Sequence, residues 1–451
     1  MTGGYMEKYL EIVEEILSWK KISRLPSIRE MAKKMNCSPG TVIRAYKELE
    51  NRHRAYTLPQ SGTYLIEVVA ESEENTVKID FLSASLEPSL RPMKVFEHCL
   101  MQAIQTEHYD YTLPEGLDTL RSVLAKHFEK RFVYCKPEDI LITSGAQQGL
   151  YLIAQMIQRE YGNGLYVEQP TYGGFIRVVE SLNMEAAMFE RSFDGIDFKA
   201  LEKLLEEKSI KWLYTVPNYH NPLGTDLTKK DKLKLLELAV KHDFYIIEDD
   251  YLGDLNLNLR LETLHYLDIS NRVIYVTSFS KTFLPGIRVG ALVAPKPFIE
   301  KLKILKKSMD INTCTLSQKG LEKYLQADIY HKHIKKVRAA MQKKLKSVEI
   351  YRRPFESAGV NLFVPDAGLF IWMIFDRRIH IKELIKDLAK KGIAVMDGDV
   401  FYYRESKASH ALRVSLSNVD EDKIHQGMQG ILEVIKWQKS VKFVEKGRRE
   451  E

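Results

Sequence analysis

Near the start of the chain, Tyr9, Ile12, Val13, Ile16 and Leu17 recur at the spacing of one apolar helix face. A turn at Ser23–Pro26 leads to a second helix, Ser27 to Met35, with Ile28, Met31 and Ala32 as its apolar positions. Asn36 and Cys37 break that pattern. Ser38 is a good N-cap and Pro39 a good first helical residue, so SPGTVIRAYKELE predicts a third helix. Beyond Arg54 the period changes. AYTLPQSGTYLIEV alternates apolar and polar residues around Pro-Gln-Ser-Gly and predicts a hairpin. Three short helices closed by a hairpin give a winged helix-turn-helix over residues 1–70.

Residues 71–79 (ESEENTVKI) are acidic and poor in apolar side chains, which predicts a short linker. Residues 80–451 then read as a large α/β domain. Helical stretches such as 118–131 and 229–242 alternate with short β-rich runs: DILIT (139–143), GLYVE (164–168), KWLYTV (211–216), FYIIED (244–249) and RVIYVTSFS (272–280). Short apolar strands separated by helices predict a mostly parallel, doubly wound sheet. From around Tyr330 onward, two long helical stretches flank NLFVPDAGLFIWMIF and HALRVSLSN, which predicts a smaller C-terminal α/β lobe.

The chain has 451 residues, 45% of them apolar, which is ample for a large core and excludes disorder, collagen-like repetition and a disulfide scaffold. Cys37, Cys99, Cys135 and Cys314 are widely spaced and form no Cys-x-x-Cys pair, so neither a zinc ribbon nor a disulfide framework is expected. No metal site is assigned. The first apolar stretch is interrupted by acids, unlike a signal peptide, and the run Gly368 to Phe375 is too short to cross a bilayer. A soluble, cytoplasmic protein without a membrane partner is expected.

Charge sharpens the reading of the first segment. The formal net charge is +6, and residues 1–70 carry 11 Lys and Arg against 8 Glu, half of that excess. Arg29, Lys33, Lys34, Arg44, Lys47, Arg52 and Arg54 crowd the second and third helices and the start of the hairpin. The acids Glu7, Glu11, Glu14 and Glu15 gather in the first helix. The basic face is the one that would meet phosphates.

In a doubly wound sheet, ligands bind at the loop ends that follow the strands. Four such ends carry polar residues. DILITSGAQQGL is a strand followed by Ser144, Gly145, Ala146 and Gln147 opening a helix, whose N–H groups could cradle a phosphate. TVPNYHNPLG places Asn221 after another strand, and FYIIEDDY puts Asp249, Asp250 and Tyr251 at a strand end. VTSFSKTFLPGIRVG offers Ser278, Ser280, Lys281 and Arg288. A lysine flanked by hydroxyls with an arginine close behind suits an aldehyde cofactor that carries a phosphate. The lysine would form the imine, and a carboxylate would protonate a pyridine nitrogen. That description fits pyridoxal 5'-phosphate (PLP).

The set SGAQQG, PNYHNPLG, EDDY and SFSKTFLPGIRVG resembles the fold-type I aminotransferases, of the branch with kynurenine and 2-aminoadipate aminotransferases, from Asp80 to Lys436. The resemblance implies that Lys281 carries the internal aldimine and Asp249 pairs with the pyridine nitrogen. It places Asn221 and Tyr251 on the ring's phenolic oxygen and Tyr172 on the ring face. Ala146, Gln147, Ser278, Ser280 and Arg288 would hold the phosphate. Tyr111 would reach the phosphate site of a partner subunit, which implies a homodimer. Arg413 would bind an α-carboxylate in bidentate fashion.

LPSIREMAKKMNCSPGTVIRAYKELE followed by SGTYL resembles the GntR-type winged helix across residues 5–66. By that resemblance Ser38, Thr41 and Arg44 lie at the DNA face of the third helix, Ser27 and Arg29 contact phosphates, and Ser61, Gly62 and Thr63 form the wing. The chain departs from that family at His53 and Arg54, where a glycine and an apolar residue are usual, and at Leu58 and Gln60 before the wing. A GntR-type head joined to an aminotransferase-like body is the architecture of the MocR subfamily of bacterial transcription regulators. The expected function is a PLP-binding regulator that binds double-stranded operator DNA and senses PLP, an amino acid or an amine through Lys281. The alternative is an active PLP-dependent aminotransferase carrying a head.

Overall fold

The computed structural model describes residues 3–19, 24–52, 54–58, 60–65, 78–106, 111–256, 261–327, 329–404 and 409–447. It divides into two compact units, Met1–Thr76 and Val77–Glu451. Of the sequence-predicted linker, residues 71–77 lie outside the described residues. Ile79 is already a strand residue of the second unit, paired with Ile393.

The first unit holds α1 (Gly3–Ser18), α2 (Ile28–Lys34), α3 (Pro39–Asn51) and an antiparallel hairpin of β1 (Ala55–Leu58) and β2 (Gly62–Leu65). Its boundaries follow from capping chemistry. Ser27 and Glu30 form a reciprocal capping box at α2, and Ser38 accepts from the Thr41 N–H ahead of Pro39 at α3. Ile12, Val13, Ile16, Met31, Val42, Ala45 and Leu49 close the core. Ile28 stays exposed rather than joining that core. The Tyr46 hydroxyl donates to the Pro26 carbonyl at 2.7 Å, tying α3 to the entry of α2. Gly62 has φ +115°, a backbone conformation that suits glycine at the hairpin turn.

The second unit is built on an eight-stranded sheet in the order β4-β11-β10-β9-β8-β5-β6-β7. These are β4 (Ile140–Thr143), β5 (Gly164–Gln169), β6 (Glu185–Ser192), β7 (Gly195–Ile196), β8 (Trp212–Thr215), β9 (Tyr245–Asp250), β10 (Val273–Ser278) and β11 (Gly290–Val293). Only β7 and β11 run antiparallel to their neighbours. Every residue of β4, β8, β10 and β11 is buried. In β4, Leu141 joins one hydrophobic cluster while Ile140 and Ile142 join another, so both sheet faces are covered. The smaller lobe is a four-stranded sheet, β12 (Val360–Phe363), β13 (Phe370–Phe375), β16 (Ala411–Ser415) and β15 (Met396–Asp397). A short parallel pair, β3 (Ile79–Asp80) with β14 (Ile393–Ala394), joins the start of the second unit to this lobe. No helix among the described residues is long and apolar enough to cross a membrane.

Beneath the ends of β9 and β10 lies a buried cluster of charges. Arg131 is 1% exposed and donates to Asp250 and Asp254 at 3.2 Å each and to Thr277 at 2.9 Å. It also bonds the Tyr275 hydroxyl. Burial alone would lower the Arg131 pKa, but Tyr275, Asp254 and Asp250 outweigh it and drive the value up. Asp254 further accepts from Thr282 at 3.0 Å and meets His127 at 2.8 Å. A side chain at Gly253 would strike the Arg131 guanidinium, so glycine is required there. Replacing Arg131 by alanine strands two buried carboxylates. It should cost about 3–5 kcal/mol of stability, measured by urea unfolding of the full chain.

Candidate ligand-binding site

A cleft of about 620 Å³ opens where the sheet's parallel strands end, the position at which doubly wound folds bind ligands. Its lining brings together Ala146, Gln147, Tyr172, Asn221, Asp249, Tyr251, Ser278, Ser280, Lys281, Arg288 and Arg413 from seven separate stretches of chain. Tyr111 is not among them. It is 83% exposed on the surface of the unit.

Asp249, the last residue but one of β9, is buried. Its Oδ2 accepts from the Tyr214 hydroxyl at 2.8 Å, while Oδ1 is buried without a partner. Burial raises its pKa to about 7, with the Tyr214 bond pulling the other way and Asp250 and Glu168 adding to the rise. An unpaired buried carboxylate oxygen is an acceptor waiting for a protonated ring nitrogen. Tyr214 was not foreseen from sequence. Its signal was available only as a strand tyrosine, and its ring stacks on Phe175 at 3.8 Å.

Lys281 follows β10 in a tight turn. Burial, then the positive charges of Arg413 and Arg288, lower its amine to about 8. Thr282 beside it is fixed on Asp254, so the buried charge cluster sets the position of this turn. Arg288 adopts left-handed φ +50° and donates to the Ser144 carbonyl at 2.8 Å, with Ser280 Oγ at 3.5 Å. Gly145 has φ +86°, and a side chain there would meet the Arg288 guanidinium at 2.8 Å. The helix Ala146–Glu160 starts at the cleft without a side-chain cap and without an acid in its first turn. This cradle fits a phosphate.

The Gln147 side-chain amide donates to the Gly174 carbonyl at 2.8 Å and accepts from the Tyr172 hydroxyl at 3.0 Å, which steadies the tyrosine ring at the cleft. Tyr251 donates to the Tyr219 carbonyl at 2.7 Å. Arg413 donates to Asn221 Oδ1 at 3.1 Å and to the Leu82 carbonyl at 3.0 Å, and lies 4.0 Å over the Phe370 ring. No carboxylate pairs with it among the described residues. Burial, opposed by Tyr251 and Tyr172, lowers its pKa to about 10. A buried guanidinium lacking an anion is a receptor for a carboxylate. Leu82, Arg177, Phe370, Met396, Val400 and Phe401 also line the cleft and had no local signature.

In the first unit, Arg29 and Arg44 are exposed and have no ion pair among the described residues. Lys34 and Arg52 lie 3.9 Å and 3.7 Å from Glu15 and Glu14, so part of the basic face is neutralised by α1. Ser27 and Ser38 use their hydroxyls as helix caps. Thr41 is 5% exposed with its hydroxyl against Ser38 Oγ, so it packs inside the unit rather than on the exposed face expected for it. At the turn, Ser61 Oγ bonds the Tyr64 hydroxyl at 2.7 Å and Thr63 bonds Thr57 at 2.8 Å.

Comparison with known proteins places this geometry. Residues 87–431 match the family described as aminotransferase class I and II. The chain is 34% identical over 438 residues to the uncharacterized HTH-type transcriptional regulator YcxD of Bacillus subtilis, covering 94% of this chain and 99% of that protein. It is 32% identical to aromatic-amino-acid aminotransferase 1 of Thermococcus litoralis, over 76% of this chain and 82% of that one. Among solved structures, Pyrococcus horikoshii kynurenine aminotransferase in complex with PMP is similar with a TM-score of 0.72 and 29% identity. That match covers 80% of this chain and 91% of the other. The chain therefore belongs to the class I and II aminotransferase family and, over nearly its whole length, to the HTH-type transcription regulators of the MocR subfamily.

Proposed function

We propose that this protein is a transcription regulator whose second unit binds PLP and an amino compound in the cleft, and whose first unit binds double-stranded DNA as a winged helix-turn-helix. One observation carries the reading. A chain that matches a helix-turn-helix regulator over 99% of that protein's length has a cleft lined by Asn221, Asp249, Tyr251, Lys281, Arg288 and Arg413, a set whose chemistry supports PLP binding. The unpaired Asp249 Oδ1, the open helix start at Ala146 and the low-pKa Lys281 each supply what that cofactor lacks.

PLP, when bound, supplies an aldehyde for covalent attachment and a ring that withdraws electrons. This chain does the rest. Lys281 would hold the aldehyde, its amine lowered to about 8 by burial and its two arginine neighbours so that a larger share of it is neutral than for an ordinary lysine. Asp249 would keep a proton at the ring nitrogen through the oxygen that Tyr214 leaves free. Arg288 and the Ala146 helix start would hold the phosphate, Tyr172 would cover the ring, and Arg413 would orient an incoming carboxylate. An effector that displaces Lys281 from the aldehyde alters DNA affinity only as far as it binds two states of the protein differently. Assembly as a homodimer, with Tyr111 completing the partner's phosphate site, belongs to the same reading.

The rival reading is turnover as an aminotransferase. It is favoured by the presence of Lys281, Asp249, Tyr251 and Arg413 in one cleft, sufficient for proton transfer at an α-carbon.

Three measurements test these readings. Lys281→Ala should lose the visible cofactor absorbance and the borohydride-fixed adduct that the wild type shows; retention of either overturns the cofactor assignment. The rate at which the apoprotein takes up PLP should rise with pH through about 8, because only the neutral amine attacks. A lysine in ordinary solvent would go on rising towards ~10.4. Binding to upstream DNA should weaken steeply with salt. Arg29→Ala should reduce the slope of log affinity against log salt by roughly one, as loss of one phosphate contact does. Salt-insensitive binding together with ordinary transaminase rates would instead establish the enzyme.

A further inference from the structure

Asn221 lies in a turn over residues 220–225, and three buried ionisable residues that do not line the cleft meet at that turn: Glu168, His220 and Arg191. Glu168, near the end of β5, accepts from the Thr215 hydroxyl at 2.8 Å and from the Val216 N–H, where the chain leaves β8. Its Oε1 lies 3.3 Å from His220 Nε2. The Leu223 N–H donates to His220 Nδ1 at 3.3 Å, so the ring proton is on Nε2, the nitrogen beside the carboxylate. Arg191, from β6, places Nε 4.0 Å from Glu168 Oε2 and donates from Nη2 to the Thr225 hydroxyl at 3.1 Å. The backbone closes the turn on the same residues. The His220 N–H donates to the Thr225 carbonyl at 2.9 Å, and the Gly224 N–H donates to the His220 carbonyl at 2.6 Å.

Burial opposes charge on all three groups. It would raise the Glu168 carboxyl, but His220, Arg191 and the Val216 bond outweigh it and hold the group below its ordinary range. Burial lowers His220 and Arg191 in spite of the Glu168 charge. The set is therefore an ionised carboxylate, one guanidinium as its counter-charge and a neutral imidazole. A buried ion pair adds little net stability, but its hydrogen bonds have fixed directions. Here those directions run to β5, β6, the end of β8 and the Asn221 turn.

The turn in its place sets what Asn221 can offer. Asn221 Oδ1 accepts from Arg413 Nη1 at 3.1 Å. A guanidinium only donates, so the amide oxygen must face Arg413 and the Nδ2 donor is left for a ligand in the cleft. Tyr219, just before the turn, holds a left-handed φ of +49°, and its carbonyl accepts from the Tyr251 hydroxyl at 2.7 Å. Such a backbone in a residue other than glycine persists where its surroundings fix it.

We infer that Glu168, His220 and Arg191 are positioning residues for the cofactor's phenolic oxygen, holding the turn so that Asn221 turns its Nδ2 donor to that oxygen while its Oδ1 stays on Arg413. The inference rests on the proposed PLP site and adds residues outside the cleft that orient it.

A donor on the phenolic oxygen stabilises the anion, and so lowers the pH at which the visible absorbance of the bound cofactor changes. The test titrates that absorbance with pH in full-length holoprotein. Glu168 also acts on Asp249 through its charge, so the substitutions are made at His220 and Thr225, which leave that charge in place. His220→Leu should raise the midpoint by about one unit, the scale of one weakened hydrogen bond. Thr225→Val should raise it by less, since only the tie to Arg191 is lost. His220→Gln, which keeps an N–H donor for Glu168, should return the midpoint towards that of the wild type. In an Asn221→Ala background neither His220→Leu nor Thr225→Val should add a shift, because the donor they position is gone. Thr225→Val nearly conserves side-chain size and carries the test alone if His220→Leu does not fold. Folded variants with the wild-type midpoint overturn the inference, and so does a shift that is undiminished without Asn221. A wild-type protein that acquires no visible absorbance on addition of PLP removes the proposed function itself, and this inference with it.

Discussion

The buried Arg131 cluster is the constraint on which the site depends. One guanidinium joins Asp250 at the end of β9, Thr277 near the end of β10 and Asp254 in the turn beyond β9. Asp254 in turn holds Thr282, the neighbour of Lys281. Two parallel strand ends and the lysine turn are thereby fixed by one set of charge-assisted bonds in a medium where such bonds are strong. Asp249 and Lys281 are the adjacent residues on either side. Their spacing is inherited from this cluster and from the β9–β10 register, in which Val276 opposes Asp249.

The same burial that makes the cluster strong tunes the reactive groups. Asp249 rises to about 7 and Lys281 falls to about 8, so each is pushed towards its uncharged form by loss of water. Both groups lie in one cleft, so a single ligand that offers a cation to Asp249 and a partner to Lys281 would relieve both. Arg413 follows the same logic at the opposite wall, lowered to about 10 and without an anion of its own.

Some of this was legible along the chain because it is encoded locally. Ser27, Ser38 and Pro39 mark helix starts through capping, and α2 and α3 begin there. The five β-rich runs read from sequence are all strands of the large sheet, in part because buried parallel strands are continuous apolar runs. Strands β6, β7 and β11 were harder to read: β7 is two residues long, β11 is short and begins with glycine, and β6 mixes charged residues into its alternation. NLFVPDAGLFIWMIF folds as two antiparallel strands, with its Pro-Asp turn in the middle. Asn221, Asp249, Lys281 and Arg288 line the cleft and sit in short polar motifs, whereas Leu82, Arg177, Phe370, Met396, Val400 and Phe401 line it without one.

What local pattern cannot carry is who meets whom. Tyr214 looks like any buried strand tyrosine until β8 and β9 pair and bring its hydroxyl to Asp249. Thr41 sits on a basic helix, yet its burial depends on how α3 packs in its own unit. Gln147 lies at a helix start, and only the approach of Tyr172 and Gly174 gives its side chain those partners. The sequence by itself determined the helices and hairpin of the first unit, the doubly wound body and the lysine and carboxylate of the cleft, since capping, periodicity and short motifs are properties of neighbouring residues. The partners of those groups and their pKa values were decided by tertiary structure alone, because they arise from contacts and desolvation between segments far apart in the chain.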